Sequence, residues 1–278
     1  MSYFKTKTYE KGENITLSYY DYGEGQPIVL IHGWPLSHKM WEYQVPVLVE
    51  AGYRVITYDR RGFGESDRPW NGYEYDTMTA DLKDLINHLE LNEVILAGFS
   101  MGGGEVARYI GMYGSSKISK AILIASVTPF MLKTENNPEG VDKSVFDGMK
   151  DNIQKDRAGF MKEFGKAFVN FEENKENISE AQVAFNWNIA CHASPKATLD
   201  CVDAFAATDF REDCKKFDIP TLIVHGDADN IVPIQASGER AKDLIPNANY
   251  KIIRNAPHGL MMTHAGELNN VLLDFLKE

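Results

Sequence analysis

The residue with the clearest chemical signature is Ser100, which stands in Gly98-Phe99-Ser100-Met101-Gly102, a G-x-S-x-G match found nowhere else in the chain. Chance yields such a match in roughly one chain in ten of this length, so its setting decides. Val94 to Ala97 before it reads as a strand and Gly103 to Tyr113 after it as a helix. A strand–turn–helix lifts a serine hydroxyl off a sheet edge, and the helix start favours negative charge there. Glycine flanks the serine because so tight a turn leaves no room for side chains. Gly98 to Gly104 is no dinucleotide fingerprint, since Ser100 stands where the second glycine belongs. Ser100 is the candidate nucleophile.

A serine hydroxyl needs a base to take its proton. Of the seven histidines, His258 in Ala256-Pro257-His258-Gly259 falls just past the last strand, at the same sheet edge. His225 closes a strand and is expected to support the following turn. His38, His88, His192 and His264 sit in helical contexts with no partner signature. The base in turn needs a carboxylate to fix its tautomer and stabilise its cation. Asp227 and Asp229 in His225-Gly226-Asp227-Ala228-Asp229-Asn230-Ile231-Val232-Pro233 compete for that role. Asp227 stands at the turn itself, where it can bind backbone N–H groups. Asp229, one step further out, can reach the His258 loop and is the candidate acid. No acid follows the preceding strand, in Ala125-Ser126-Val127-Thr128.

Attack by a serine creates an oxyanion that needs two aimed N–H donors. The backbone of Met101 supplies one. The loop after strand Ile28 to Ile31, His32-Gly33-Trp34-Pro35, supplies the other through Trp34. Pro35 has no N–H and shapes the loop.

These residues must be positioned by a sheet. Ile28–Ile31, Arg54–Tyr58, Val94–Ala97, Ala121–Ile124, Thr221–Val224 and Tyr250–Ile253 are short apolar runs without alternation, as in strands covered on both faces. Between them lie helix-period stretches: Thr77 to Leu91 repeats Leu82, Leu85, Ile86 and Leu89, and the C-terminal stretch repeats Leu268, Val271, Leu272, Phe275 and Leu276. Strand–helix alternation predicts an α/β fold with a mostly parallel, doubly wound sheet. Phe4–Tyr9 and Ile15–Tyr22 predict an antiparallel hairpin at one edge. From Val127 to about Asp218 strand signals are lacking, and roughly ninety such residues cannot be a plain loop. The expected organisation is a core of residues 1–126 and 219–278 with a helical cap, residues 127–218, over the sheet's C-terminal edge, where open α/β sheets bind ligands.

The composition narrows the function. With 44% apolar and 25% charged residues the chain is ordinary globular material, and a net charge of −11 argues against nucleic acid or anionic membrane as a partner. Arg60-Arg61 and Lys215-Lys216 are only short basic pairs. Three cysteines (Cys191, Cys201, Cys214) without a Cys-x-x-Cys spacing suit a reducing compartment. The N-terminus lacks a signal-peptide core and no apolar run could span a bilayer, so the expectation is a soluble, cytoplasmic protein. No His/carboxylate cluster suggests a metal or haem, and the expected cofactor is none.

Four stretches carry a family resemblance: GFSMGGGEVARYIG (Gly98–Gly111), IHGWP (Ile31–Pro35), YRVITYDRRGFGES (Tyr53–Ser66) and His225 to Pro233, joined by ASPKATLD (Ala193–Asp200) in the cap. Together they resemble the bacterial cofactor-free haloperoxidases and their aryl esterase relatives within the α/β-hydrolase superfamily, almost end to end. The resemblance implies hydrolysis of small carboxylic esters through an acyl-enzyme, and perhydrolysis when hydrogen peroxide replaces water. It carries over Ser100, Asp229 and His258 as triad and Trp34 with Met101 as oxyanion donors. It also implies that the carbonyl of Pro35 steers peroxide; an unchanged perhydrolysis-to-hydrolysis ratio in Pro35→Ala would count against that. Such proteins often form homo-oligomers.

Phe130, Met131, Trp187 and Phe146 are candidates to line an apolar acyl site. Ser100 excludes the dehalogenase and epoxide hydrolase chemistries of this fold, which use aspartate. Lactonase, γ-lactamase and carbon–carbon hydrolase chemistries keep the same triad and stay open, because function lives in the pocket. A ligand sensor on a hydrolase scaffold is the alternative of a different class, and a fluorophosphonate probe separates it from an enzyme.

Overall fold

The computed structural model describes residues 1–10 and 12–278. In chain order, β1 (Ser2–Glu10), β2 (Glu13–Tyr22) and β3 (Gln26–Ile31) precede α1 (Val45–Glu50), β4 (Tyr53–Tyr58) and α2 (Tyr75–His88). Next come β5 (Val94–Phe99), α3 (Met101–Tyr113) and β6 (Ile118–Ile124). Four helices follow without a strand: α4 (Lys143–Phe168), α5 (Glu180–His192), α6 (Pro195–Ala207) and α7 (Arg211–Cys214). The chain ends with β7 (Thr221–Gly226), α8 (Gly238–Leu244), β8 (Asn249–Ile253), α9 (Leu260–Thr263) and α10 (Ala265–Lys277).

The strands form one eight-stranded sheet in the order β1-β2-β4-β3-β5-β6-β7-β8. The β1–β2 hairpin joins antiparallel through β2 to β4, and the remaining six strands run parallel. Every residue of β5 and of β7 is buried, which explains their unbroken apolar runs; β8, at the edge, leaves Lys251 and Ile252 exposed. Apolar side chains cover both faces. Leu82 and Leu85 of α2 and Val106 and Ile110 of α3 pack on one face with Val29 and Leu96. Leu48 of α1 and Leu268, Leu272 and Phe275 of α10 pack on the other with Ile28 and Ile95. The last helix keeps the expected stripe, although Val271 is only half-buried.

The insert between β6 and β7 begins irregularly. Isolated bridges (Leu132–Val141, Thr134–Asn137) pin its first stretch, and each long helix then starts on its own cap. Asp142 accepts Ser144 N–H, Ser179 accepts Gln182 N–H, and Ser194 accepts Ala197 N–H just before Pro195. Within α4, Asp156 leaves helical geometry (φ −156°, ψ 87°), and its carboxylate accepts Gly159 N–H, capping a second helical segment. That bend turns the second segment, with Phe164 and Phe168, onto the sheet's C-terminal edge. The last helix returns to the core, where Asp213 of α7 pairs with Arg108 of α3 at 3.2 Å. Among the described residues no helix is long and apolar enough to cross a membrane.

Candidate active site

Ser100 occupies the turn between β5 and α3 with φ 53° and ψ −117°. A non-glycine residue held there stores about 1–3 kcal/mol of strain, which its surroundings must oppose. They do so with backbone bonds: Ser100 N–H donates to Ile124 O at 2.8 Å, and Ser100 O accepts Gly103 N–H at 3.0 Å. The flanking glycines are forced by contact with neighbouring backbone. A Cβ at Gly98 would lie 2.3 Å from Gly102 O, and one at Gly102 would lie 2.4 Å from Ile31 O. The hydroxyl therefore sits at the N-terminus of a 13-residue helix.

His258, from the loop between β8 and α9, faces that hydroxyl with Nε2 at 2.9 Å from Ser100 Oγ. Its Nδ1 lies 2.7 Å from Asp229 Oδ2, in the loop after β7. A carboxylate can only accept, so Nδ1 carries the proton and Nε2 is free to accept from the serine. The other Asp229 oxygen accepts Ile231 N–H at 2.9 Å and Val232 N–H at 2.8 Å. Burial alone would raise the Asp229 carboxyl. The facing imidazoles of His258 and His225 outweigh it and hold the group well below the usual carboxylate range. Asp227 is elsewhere: its oxygens meet Arg254 at 2.9 Å and Asn255 N–H at 2.6 Å on the outside of the loop. The imidazole of His258 is packed by Phe99 (4.8 Å) and edge-on to Phe168 (5.1 Å), and Gly259 N–H donates to Phe168 O at 2.7 Å. The second segment of α4 thus clamps the histidine loop.

His225 does more than support a turn. Its Nε2 reaches both Val232 O at 2.9 Å and Asp229 Oδ2 at 3.2 Å, while its buried Nδ1 has no partner among the described residues. The proton therefore belongs on Nε2, and the acid accepts from two histidines at one oxygen. The sequence signal was available: His225 and Asp229 are four residues apart across one tight turn.

The loop after β3 is set by a buried polar network. His32 Nε2 accepts Arg60 N–H at 3.0 Å, and His32 Nδ1 donates to Gly33 O at 2.9 Å. Arg60 also donates to His32 O at 2.7 Å and pairs with Glu105, which accepts Tyr58 OH at 2.8 Å. Burial, then the nearby Arg60 cation, push His32 down to about 3, so its imidazole stays neutral. Downstream, the Trp34 indole N–H donates to Thr198 O of α6 at 3.1 Å. The backbone N–H groups of Trp34 and Met101 have no acceptor among the described residues. Gly33 packs against the serine, since a Cβ there would lie 3.2 Å from Ser100 Cβ. Met101 directly follows Ser100 and Trp34 directly follows Gly33, so both N–H groups lie on the segments that flank the serine.

Above the serine lies a narrow chamber, partly open to solvent. Its walls are Trp34; Val127 and Met131 after β6; Val141; Val145, Phe146, Met149 and Phe164 of α4; Phe205 of α6; and Ile231 and Val232. Among the described residues of that wall only Ser100, His258 and Trp34 carry polar side-chain atoms, and the Trp34 indole N–H is committed to Thr198 O. Met131 and Phe146 are therefore in the chamber, whereas Phe130 and Trp187 are not brought to it. Phe130, although next to Met131 in the chain, lines a different depression with Asp209 and Arg211, whose guanidinium lies 5.3 Å from the Phe130 ring. Trp187 is partly exposed, and its indole donates to Ala158 O at 2.9 Å. With Pro35 it lines a separate apolar cleft that shares only Phe164 with the chamber.

Known proteins with this architecture carry the same set of elements. The model of the α/β hydrolase fold family matches residues 26–265. The non-heme chloroperoxidase CPO-A1 of Kitasatospora aureofaciens is 41% identical over 268 residues, 96% of this chain and 98% of its own. The bifunctional esterase/perhydrolase DCH of Acinetobacter calcoaceticus is 35% identical over 280 residues, 100% of both chains. The crystal structure of bromoperoxidase from Bacillus anthracis superimposes with a TM-score of 0.93 at 54% identity, over 95% of this chain and 96% of that one. Matched from end to end in both sequence and fold, the chain belongs to the non-heme haloperoxidase and esterase family of the α/β hydrolases.

Proposed function

We propose that this protein is a serine hydrolase of small, uncharged carboxylic esters that also passes the acyl group to hydrogen peroxide. The observation that carries the reading is the continuous chain of hydrogen bonds from Ser100 through His258 to Asp229, opening into an apolar chamber. In this reading Ser100 is the nucleophile, His258 the general base and Asp229 the orienting acid. As Ser100 Oγ attacks the ester carbonyl, its proton passes to His258 Nε2 and the Asp229 carboxylate stabilises the imidazolium. The oxyanion is received by the N–H groups of Trp34 and Met101, each worth about 3–4 kcal/mol of barrier in such sites. The imidazolium then protonates the departing alcohol. Water, or peroxide in its place, is deprotonated by His258 and attacks the acyl-enzyme, giving acid or peracid.

The perhydrolase half draws on the Acinetobacter relative, whose name joins esterase and perhydrolase and which aligns over the full length of both chains. The helices of residues 127–218 act as the lid that supplies most of the acyl-binding wall, with residues 1–126 and 219–278 as the catalytic core. Hydrolysis of p-nitrophenyl acetate, and bromination of monochlorodimedone in the presence of an acetate ester, peroxide and bromide, where released peracid oxidises the bromide, test the two halves. Wild type should do both and Ser100→Ala neither. Bromination that persists in Ser100→Ala would separate the oxidative chemistry from the serine and overturn the acyl-transfer route.

A further inference from the structure

Methionine and cysteine are the side chains most readily oxidised by a peracid, and position decides which of them meets one; none of the three cysteines lines the chamber. Of the ten methionines, only Met131 and Met149 line the chamber that contains Ser100 and His258. Met1 and Met112 are exposed, at 63% and 43%. Met40, Met78, Met101, Met161, Met261 and Met262 are buried and absent from that wall. A peracid released from Ser100 meets a wall whose polar side chains are those of Ser100, His258 and Trp34, the rest being apolar. The thioethers are the soft, polarisable groups of that wall.

We propose that Met131 and Met149 are oxidised by the peracid made at Ser100, so that perhydrolysis progressively rewrites the substrate chamber; the inference rests on the perhydrolase reading above. The terminal peroxy oxygen is transferred to the sulfur lone pair and the O–O bond breaks. The peroxy proton ends on the carboxylic acid that leaves. Sulfur is oxidised by two electrons and the peracid is reduced to its acid, so one ester and one peroxide consumed yield one alcohol, one acid and one sulfoxide. A sulfoxide oxygen in this wall finds no N–H donor beyond the catalytic groups, which makes the apolar pocket wet or distorted. Neutral apolar esters should then bind less well as turnover proceeds, and perhydrolysis should limit itself.

The test incubates the full-length protein with a short-chain acetate ester and hydrogen peroxide, with free methionine in solution to trap escaped peracid. Sulfoxide is mapped by peptide mass spectrometry, and peracid is measured in a parallel reaction without the trap. The expected result is sulfoxide at Met131 and Met149 ahead of Met1 and Met112. The order should reverse with peroxide alone, and in Ser100→Ala given both reagents. In Met131→Leu/Met149→Leu, the fall of perhydrolysis relative to the variant's own initial rate should slow. Peracid in solution with Met131 and Met149 intact, or oxidised no faster than in Ser100→Ala, overturns the inference alone. If no peracid forms at all, the perhydrolase reading fails first and the inference goes with it.

Discussion

Replacing Asp229 by asparagine tests how the acid holds the base, because the surroundings dictate which way the new amide must point. One carboxylate oxygen accepts two backbone N–H groups, from Ile231 and Val232, at 2.9 and 2.8 Å. An amide NH₂ cannot sit there without facing two donors, so its oxygen takes that side and its nitrogen turns to the histidines. His258 Nδ1, now 2.7 Å from a donor, must give up its proton and accept. The proton moves to Nε2, where it faces Ser100 Oγ and blocks the base. The loss should approach the about 10⁴-fold fall typical when a triad carboxylate becomes an amide, or about 5 kcal/mol of barrier. Asp227→Asn removes an exposed pair with Arg254, so its effect should stay below about tenfold. The assay is kcat/KM for p-nitrophenyl acetate, with circular dichroism to confirm the fold of each variant. A loss in Asp227→Asn equal to or larger than that in Asp229→Asn refutes the reasoning.

Other consequences can be measured independently. His225→Leu removes one of the two imidazole donors to Asp229 and should lower kcat about tenfold with little change in KM, while His225→Gln, which can still donate, should recover much of it. Because the chamber wall offers no cation, an ester whose acyl chain ends in a carboxylate should react at least about 100-fold more slowly than its neutral isostere, read as kcat/KM across a matched panel. His32 stays neutral when folded, down to about 3, while the unfolded chain takes up a proton near pH 6.5. The unfolded state thus binds more protons below that pH, and stability should fall from about pH 6.5 towards 3; the slope of urea midpoint against pH should flatten in His32→Gln. Glu105→Gln leaves the Arg60 cation uncompensated in the core and should cost about 3–5 kcal/mol in denaturant unfolding, against a small loss for the exposed Lys143–Asp147 pair.

The parts of the site legible in sequence are those whose geometry is local. Ser100 announces itself because strand, turn and helix are contiguous, and the packing of Gly98 and Gly102 is written into a few residues. Trp34, Asp229 and His258 follow from the same logic, each coming directly after a parallel strand and therefore on one edge of the sheet. The chamber wall is of another kind. Phe164 and Phe205 enter it only because α4 bends at Asp156 and α6 crosses over the edge, and neither orientation leaves a periodic trace in the sequence. Neighbours such as Phe130 and Met131 have equal claim on hydrophobicity and are separated by the direction of an irregular loop. The second imidazole on Asp229 was hidden differently: the spacing of His225 was visible, but a histidine closing a strand serves a turn as readily as an acid.

The most direct measurement is covalent labelling of the native protein with a fluorophosphonate, followed by mapping of the adduct. Stoichiometric modification at Ser100, lost in His258→Ala and accompanied by complete loss of esterase activity, is the expected outcome. Activity that survives complete labelling of Ser100, or an adduct carried by a different residue as hydrolysis stops, would contradict it.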